Sequence, residues 1–355
     1  MKKGTLVALV VLLVVGMISM SSAAPAQGKQ MALRFSCHVP ESPATAFARY
    51  VMDETTKQTN GRITWKPFWG GSLVGGKEAL KATSSGVVDM AFGLWIYEPT
   101  ILPLGAFDSA LPFNLPDVRI EAKMKREIFA KIPALNGELA AVNVAPVITF
   151  IGIPPLGLVS REPVDSLDDL KGKKIGHTSV ELTPILEAAG AVSVISSALE
   201  FYERLDRGVI DGCILPLVIA NVLKLREVAK HHTDLDLETS VGYTLWINQN
   251  TWKSLSPEDQ KIFQQAGLGA EERQAVVWEG LEKKLREEIY PKAGVTFHKL
   301  PAADTEKWIN ALPDVVAEWA NKMESKGLPG WAIMNMYLEL HEKNGWKFPR
   351  QWGKK

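Results

Sequence analysis

Two histidines and three acidic residues are the side chains whose spacing could hold a metal ion. His231 and His232 are adjacent, and Asp234, Asp236 and Glu238 alternate after them, which would place the three carboxylates on one side of an extended segment. The segment lacks the glycine of a calcium-binding loop. We interpret the histidine pair as the solvated end of a helix and the carboxylates as a solvent-facing edge. We expect no metal ion and no cofactor.

Motifs that identify common enzymes are absent from the sequence. No glycine-rich loop ends in Lys-Ser or Lys-Thr, no G-x-S-x-G turn is present, and no H-E-x-x-H pair occurs. We therefore expect a protein that is not an enzyme, and an exported α/β hydrolase is retained as an alternative.

Aromatic side chains lie near the ends of several predicted strands, where a binding pocket would form. These residues are Trp69, Trp95, Tyr97, Tyr243 and Trp246. Their rings can line a cleft for an organic solute or pack in the core. The two interpretations are balanced for Trp95 and Tyr97, and core packing is favoured for the other three.

The composition is that of a folded protein with two domains. The chain has 355 residues, of which 46% are hydrophobic, and 40 basic residues balance 40 acidic ones. This length suits two domains, and the balanced charge gives no reason to expect nucleic acid as a partner. Cys37 and Cys213 are too few for a disulfide framework, and we expect them to be two separate buried thiols.

The first 26 residues have the pattern of a secretory signal peptide. Lys2 and Lys3 precede an apolar run over 6–20, and small residues follow over 21–24. The apolar run is short for a membrane span, which needs about 20 residues. We predict an exported protein from which residues 1–26 have been removed.

Strand and helix patterns alternate along the rest of the chain, which predicts an α/β fold. The predicted strands of a first unit are 33–37, 63–65 and 87–92, and those of a second unit are 173–176 and 209–215. Because helical patterns separate the strands, we expect each unit to be a largely parallel sheet covered by helices.

Longer features link the two units. The apolar stretch 145–159 exceeds the usual strand length of about 5–6 residues, so we expect it to cross between the units as a hinge, with 242–247 as a second crossing strand. The helix-compatible segment 256–290 would be about 50 Å long. We expect it to lie across both units, unless Gly267 and Gly269 divide it.

Two lobes joined in this way leave a cleft between the carboxyl ends of their strands, where open α/β sheets bind ligands. We predict a first lobe over 27–150 and about 239–265. The second lobe is predicted over 151–238 and about 266–300, followed by a C-terminal helical segment over 301–355.

Short motifs spaced along nearly the whole mature chain point to one family. They lie at residues 38–43 (HVPESP), 86–91 (GVVDMA), 166–175 (SLDDLKGKKI), 208–212 (GVIDG) and 252–257 (WKSLSP). Each motif is weak by itself, but their order and spacing together are specific. The chain resembles the extracytoplasmic solute receptors of tripartite ATP-independent periplasmic (TRAP) transporters, of the dicarboxylate-receptor-like type.

The resemblance implies a two-lobed periplasmic binding protein in which each lobe is a mostly parallel sheet flanked by helices. Crossing hinge strands would join the lobes, and a long helix would span both. The resemblance also implies that the lobes close on one small organic solute and deliver it to the membrane permease subunits of a transporter. A receptor that feeds a sensor protein is the alternative. We expect a monomer with no nucleic acid partner.

Two positions depart from the family's pattern at the expected solute site. Most members have an arginine that clamps a carboxylate where this chain has Gly176, and a polar residue where it has Leu215. We therefore expect a solute other than a simple C4-dicarboxylate. Three kinds of solute remain. It is an acid held by His177, by the helix start near Thr178 or by an arginine from elsewhere in the chain, or it is a cationic or neutral molecule enclosed by aromatic rings. The third possibility is a larger apolar or aromatic compound.

Ligand binding is predicted for residues near the strand ends of both lobes. The predicted residues are Trp95, Tyr97, His38, Trp69, Gly176, His177, Thr178, Leu215, Pro216, Tyr243 and Trp246. No catalytic or metal-binding residue is predicted.

Overall fold

The computed structural model describes residues 29–237 and 242–353, so the predicted signal peptide lies outside the described residues. The described chain forms two α/β lobes, each built on one sheet, which confirms the predicted fold class. Within the described ranges, no helix is both long and apolar enough to span a membrane. Cys37 and Cys213 are buried and unpaired, as predicted. The boundary residues of the lobes stay a prediction.

The strands and helices alternate as the sequence patterns indicate. The strands are β1 (Met31–Ser36), β2 (Ile63–Phe68), β3 (Met90–Leu94), β4 (Val144–Ile151), β5 (Leu156–Ser160), β6 (Lys174–His177), β7 (Val192–Ile195), β8 (Gly212–Pro216), β9 (His231–Asp234), β10 (Tyr243–Asn248) and β11 (Thr296–Lys299). The helices are α1 (Ala46–Gln58), α2 (Ala79–Ser84), α3 (Val118–Lys131), α4 (Pro133–Ala141), α5 (Leu182–Ala188), α6 (Phe201–Asp206), α7 (Leu217–Val222), α8 (Gln249–Ser254), α9 (Pro257–Lys284), α10 (Tyr290–Lys292), α11 (Ala302–Ala311), α12 (Val315–Glu324) and α13 (Gly330–Lys343).

Each sheet combines parallel strands with antiparallel strands where the chain passes between the lobes. The first sheet, in the first lobe, has the order β2-β1-β3-β10-β4, in which β2, β1 and β3 are parallel and β10 is antiparallel to both neighbours. The second sheet has the order β11-β9-β5-β8-β6-β7, in which β5 is antiparallel to β8 and β9. Strand β4 at the edge of the first sheet leads out of the first lobe, and β5, the first strand of the second sheet in chain order, enters the second lobe.

The predicted crossing strand over 145–159 is two strands in the structure. Strand β4 lies in the first sheet and β5 in the second, with residues 152–155 as the connection. Pro154 and Pro155 lie in this connection. Because proline lacks the N–H that a sheet ladder needs, the strand is interrupted between the two lobes.

A long helix lies against both lobes, as predicted. Helix α9 continues through a π-helical turn into α10, and neither Gly267 nor Gly269 divides it. Both glycines instead allow close packing. A Cβ at Gly267 would lie 2.6 Å from the carbonyl oxygen of Val147 in β4, and one at Gly269 would lie 2.7 Å from the hydroxyl of Tyr50 in α1. The helix axis therefore lies closer to β4 than a side chain at residue 267 would permit, and a side chain at residue 269 would have to displace the ring of Tyr50.

Two side chains of this helical segment fasten it to the connection and to the second lobe. The buried Trp278 donates a hydrogen bond of 3.0 Å from Nε1 to the carbonyl oxygen of Gly152. Arg286 forms a two-pronged pair with Asp234 of β9, with distances of 2.8 and 3.1 Å. The segment thus contacts both lobes and the chain between them.

A buried charged cluster fastens the C-terminal helix α13 to α3. Glu121 of α3 lies 2.8 Å from His341 Nε2 and accepts a hydrogen bond of 2.7 Å from the Tyr337 hydroxyl. One turn along α3, Lys125 pairs with Asp108 at 2.5 Å. None of these five side chains is more than 3% exposed. Each charge therefore depends on its protein partner for stabilisation, because water does not reach it.

Replacing Glu121 by glutamine should destabilise the protein. The substitution keeps the shape of the side chain, removes its charge and turns one acceptor into a donor. Because the substitution disturbs the buried hydrogen bonds to Tyr337 and His341, and a buried polar group left without its partner costs about 1–3 kcal/mol, urea denaturation should show a free energy of unfolding lowered by about that amount. Glu127→Gln is the control, since Glu127 lies on the same helix in a partly exposed pair with Lys131 and should change stability little. Equal effects of the two substitutions would contradict this role of the cluster.

Candidate ligand-binding site

A cavity lies between the two sheets and is lined by residues of both lobes and of their connection. Its walls include Phe92 of β3 and Tyr243 of β10 from the first lobe, Leu215 and Pro216 of β8 from the second, and Ile153 from the connection. The empty volume, including the part open to solvent, is about 790 Å³. Within it, about 80 Å³ is accessible to the centre of a water-sized sphere, which is several times the roughly 10–15 Å³ that one water molecule needs.

The carboxyl ends of the strands supply much of this lining. His38 comes two residues after β1, Tyr97 three residues after β3, Thr178 directly after β6, and Ala198 three residues after β7. Parallel strands end at the same edge of a sheet, so these residues are brought together although they are far apart in the sequence. The cleft is therefore formed at the edge where the α/β pattern predicts a ligand.

The cavity is apolar and uncharged. Among the described residues that line it, none is aspartate, glutamate, lysine or arginine. Its polar side chains are His38, Tyr97, Thr178 and Tyr243. Burial raises the pKa of both tyrosine hydroxyls, so both remain protonated at neutral pH. The site can thus offer hydrogen bonds to a solute but no formal charge.

Four rings form the wall of the first lobe. Phe92 lies at the centre, with its ring centroid 5.0 Å from that of His38 in a stacked arrangement and 4.8 Å from that of Tyr243 in an edge-on arrangement. Tyr97 lies 5.9 Å from His38. Such contacts fix the ring orientations, which makes this wall a preformed surface for another flat or apolar group.

The wall of the second lobe is aliphatic and reaches towards the first lobe. Leu215 is buried at the end of β8, whereas Leu199 is 55% exposed in a short 3₁₀ turn after β7. The neighbouring Ser197 lies near Tyr97 and partly offsets the rise in the pKa of Tyr97 that burial causes. Residues of the two lobes therefore approach each other beside the cavity.

The position where the family has its arginine faces the interior of the second lobe. A Cβ at Gly176 would lie 2.9 Å from Ile210 Cδ1 and 3.0 Å from Phe201 Cε1. Both of these side chains are fully buried in one cluster. Any larger side chain at residue 176 would therefore have to displace this packing, and Gly176 does not line the cavity.

His177 is also held inside the second lobe rather than at the cavity. Its side chain is buried, with Nδ1 at 2.7 Å from the Ser179 carbonyl oxygen and Nε2 at 2.6 Å from Ser193 Oγ. Both ring nitrogens are thus occupied by internal partners. The next residue, Thr178, does line the cavity.

The three tryptophans of the predicted set lie outside the cavity walls. Trp95 is 2% exposed, donates a hydrogen bond of 3.2 Å to the Thr149 carbonyl oxygen and packs edge-on against Trp246 at 5.6 Å. Trp69 packs against Phe35 at 5.2 Å. The cavity brings together His38, Tyr97, Thr178, Leu215, Pro216 and Tyr243 of the predicted set, but not Trp69, Trp95, Trp246, Gly176 or His177.

Some lining residues were not predicted from the sequence. Phe92, Ile153 and Leu199 line the cavity, as do Ile219 and Val222 of α7. Phe92 closes the predicted strand 87–92, and Leu199 lies in the short 3₁₀ turn after β7. For Phe92 the sequence therefore carried a signal, which was an apolar residue at the carboxyl end of a predicted strand. Nothing in the local sequence distinguished the α7 residues from residues of the core.

The histidine pair lies in β9, so its prediction as a solvated helix end is wrong. His232 is 1% exposed, because its neighbours in the sheet cover it. Asp234 pairs with Arg286 and Asp236 with Lys299, and Glu238 lies outside the described residues. Across the described ranges, no group of three or more histidine, cysteine or acidic side chains is arranged to hold a metal ion.

The fold and the cavity are those of a two-lobed periplasmic binding protein. The model of the family "Bacterial extracellular solute-binding protein, family 7" matches residues 36–323, so the chain belongs to this family. This confirms the predicted TRAP receptor family and the predicted periplasmic location. The family consists of solute-binding receptors rather than enzymes.

Relatives of similar length agree with this assignment. The chain is 27% identical to the C4-dicarboxylate-binding periplasmic protein DctP of Rhodobacter capsulatus, over 86% of this chain and 91% of that one. It is 25% identical to the outer membrane transporter protein TsaT of Comamonas testosteroni, over 89% and 92% of the two chains. The fold matches a TRAP solute-binding protein from Rhodoferax ferrireducens, solved with copurified benzoate, with a TM-score of 0.80, 20% identity, and coverage of 88% and 98%.

Substitution of Trp95 should affect stability, whereas substitution of Tyr97 should affect binding. Trp95→Ala removes a buried ring, which costs about 3–5 kcal/mol, so we expect a large fall in the free energy of unfolding measured by denaturant. Tyr97→Phe keeps the ring and removes only the hydroxyl at the cavity, so we expect near-normal stability and weaker solute retention. Weaker binding by folded Trp95→Ala at unchanged stability would show that Trp95 contacts the solute.

An arginine at residue 176 should not restore an acid-binding site. Gly176→Arg forces a side chain against Ile210 and Phe201, so we expect a lower thermal unfolding midpoint and no succinate binding by calorimetry. Gly137→Arg is the matched control, because a Cβ at Gly137 meets nothing within 4 Å, and it should unfold at the normal temperature. Tight succinate binding by Gly176→Arg would contradict the inward orientation of this position.

Proposed function

We propose that this receptor binds a small organic solute with a largely apolar body and delivers it to the membrane permease of a tripartite transporter. One observation carries the choice of solute: the cavity between the lobes has aromatic and aliphatic walls and no charged residue in the part of the lining that the structure describes. Polar groups are few and uncharged, so they orient a solute rather than neutralise it.

A simple C4-dicarboxylate fits this cavity poorly. Each carboxylate that enters loses its hydration, which costs several kcal/mol unless a cation or several hydrogen bonds replace the water. The lining offers neither an arginine nor a lysine. The gain from apolar contact cannot compensate, since a four-carbon chain buries little apolar surface at about 25 cal/mol per Å².

A ring-shaped or branched apolar solute fits it well. Such a molecule would lie between the rings of Phe92 and Tyr243 on one side and Leu215 on the other. Two solved relatives with the same fold support this class: one holds copurified benzoate, and a marine metagenome protein specific for aromatic acid ligands holds 3-hydroxybenzoate. Their identities of 20% and 23% make them support for the solute's shape alone.

Binding would act by stabilising the closed arrangement of the lobes. A solute in the cavity touches both walls only when the lobes are together, so it shifts the population towards that form. Tyr97 of the first lobe and Ser197 of the second approach each other beside the solute. We propose that a single chain completes the site and acts as a monomer without catalysis, because both walls come from the same chain.

Native mass spectrometry of the purified protein should reveal a retained solute of this class. We expect a molecule with an aromatic or branched apolar skeleton, and we expect Leu199→Asp to release it, since this substitution places a carboxylate at the cavity wall. Leu268→Asp is the control, because Leu268 is 51% exposed on α9, outside the cavity lining, and matches Leu199 at 55%. Retention of succinate, malate or another small dicarboxylate would contradict the proposal.

A further inference from the structure

One polar side chain of the cavity has a buried atom without a partner. His38 is 9% exposed, and its Nδ1 is covered yet makes no hydrogen bond within the described part of the chain. A buried polar atom without a partner is costly, so such an atom in a binding cavity calls for an explanation. Because His38 lines the cavity and only its Nδ1 is covered, the other ring nitrogen, Nε2, is the atom that can meet a solute.

The His38 ring is fixed in one orientation. Phe92 stacks on one face with an interplanar angle of 29°, and Tyr97 lies 5.9 Å away. Gly76 covers the Nδ1 edge, since a Cβ there would lie 3.1 Å from Nδ1. The ring cannot turn Nδ1 into the cavity without displacing these neighbours. Nε2 is thus the ring nitrogen that remains for a solute.

The surroundings keep this imidazole uncharged. Its neighbours from the adjacent elements are Phe92 of β3, Tyr97 of the following turn and Gly76 of the turn before α2, and none carries a charge. Burial lowers the pKa of His38 to about 4. Glu78 and Glu98 follow Gly76 and Tyr97 closely in the sequence, but neither lines the cavity. His38 therefore offers a neutral hydrogen-bonding atom at periplasmic pH.

We propose that the solute presents an uncharged polar group to Nε2 of His38, and that the receptor selects a neutral molecule over a carboxylate or an ammonium of the same shape. The inference rests on the proposed function and adds the charge of the solute to it. Selection for a neutral solute follows from the absence of charged side chains in the described lining of the cavity. A carboxylate would meet no cation and an ammonium no carboxylate, so either ion would lose hydration without an opposite charge to replace it.

Three ring compounds of similar shape separate these cases. Benzamide is neutral, benzoate is an anion, and benzylamine is a cation at pH 7.5. Calorimetric titration of the purified full-length mature protein should give benzamide an affinity at least about tenfold higher than either ion, which is a difference of one hydrogen bond or more. Equal or tighter binding of benzoate or benzylamine overturns the inference, and so does a failure of all three to bind.

Two substitutions test separately the role of His38 in binding and the effect of the uncharged lining on solute choice. His38→Phe keeps the stacked ring and removes Nε2, so benzamide affinity should fall by about tenfold with no loss of thermal stability. Thr178→Arg adds a guanidinium at a half-buried position of the lining, so the preference should reverse towards benzoate. Unchanged benzamide affinity in His38→Phe, or unchanged preference in folded Thr178→Arg, counts against the inference.

The outcome also distinguishes this inference from the proposed function. Recovery of an aromatic carboxylate from the purified protein would leave an apolar-solute receptor in place and overturn only neutral selection. Recovery of a small dicarboxylate would overturn both.

Discussion

The contact between the long helix and the strand that leaves the first lobe is the constraint on which the rest of the structure depends. Helix α9 lies against β4 at Gly267, where any Cβ would collide with the Val147 carbonyl oxygen, and Trp278 holds the Gly152 carbonyl a few residues further along the chain. The connection that joins the lobes is therefore packed under the helix rather than free. The spacing of the two sheets, and hence the width of the cavity between them, follows from this packing.

Desolvation then decides what the cavity can hold. The chain does bury charges elsewhere, but Glu121 and Lys125 each have a partner supplied by the fold. In the cavity a partner would have to arrive from solution, and the lining presents no charge to receive it. The same physical rule, that a buried charge needs a compensating one, thus explains both the cluster at α13 and the uncharged binding site.

The alternation of strands and helices was sufficient to predict the α/β class and a cleft at the strand ends, and His38, Tyr97 and Tyr243 of the predicted set line the cavity there. It could not show that Trp95 turns into the core, because that depends on the Thr149 carbonyl and on Trp246, which reach it from other strands. Nor could it show that Gly176 faces Phe201, since a four-residue strand gives no reliable alternation. The split of the crossing strand was visible in Pro154 and Pro155, whereas the role of Gly267 as a close-approach site needed the neighbouring strand.

An uncharged lining also changes the balance between the open and closed forms. A receptor with a cleft arginine must desolvate that charge when it closes empty, which disfavours closure without solute. Here closure would bury only two tyrosine hydroxyls, a threonine and a neutral imidazole, none of which carries a charge. The unpartnered Nδ1 of His38 is already covered by Gly76 of its own lobe. Closing the lobes therefore adds little to the free-energy cost of leaving this nitrogen without a hydrogen bond. The closed form without solute should therefore be less disfavoured than in an arginine-bearing relative, and a solute needs less differential affinity to shift the population.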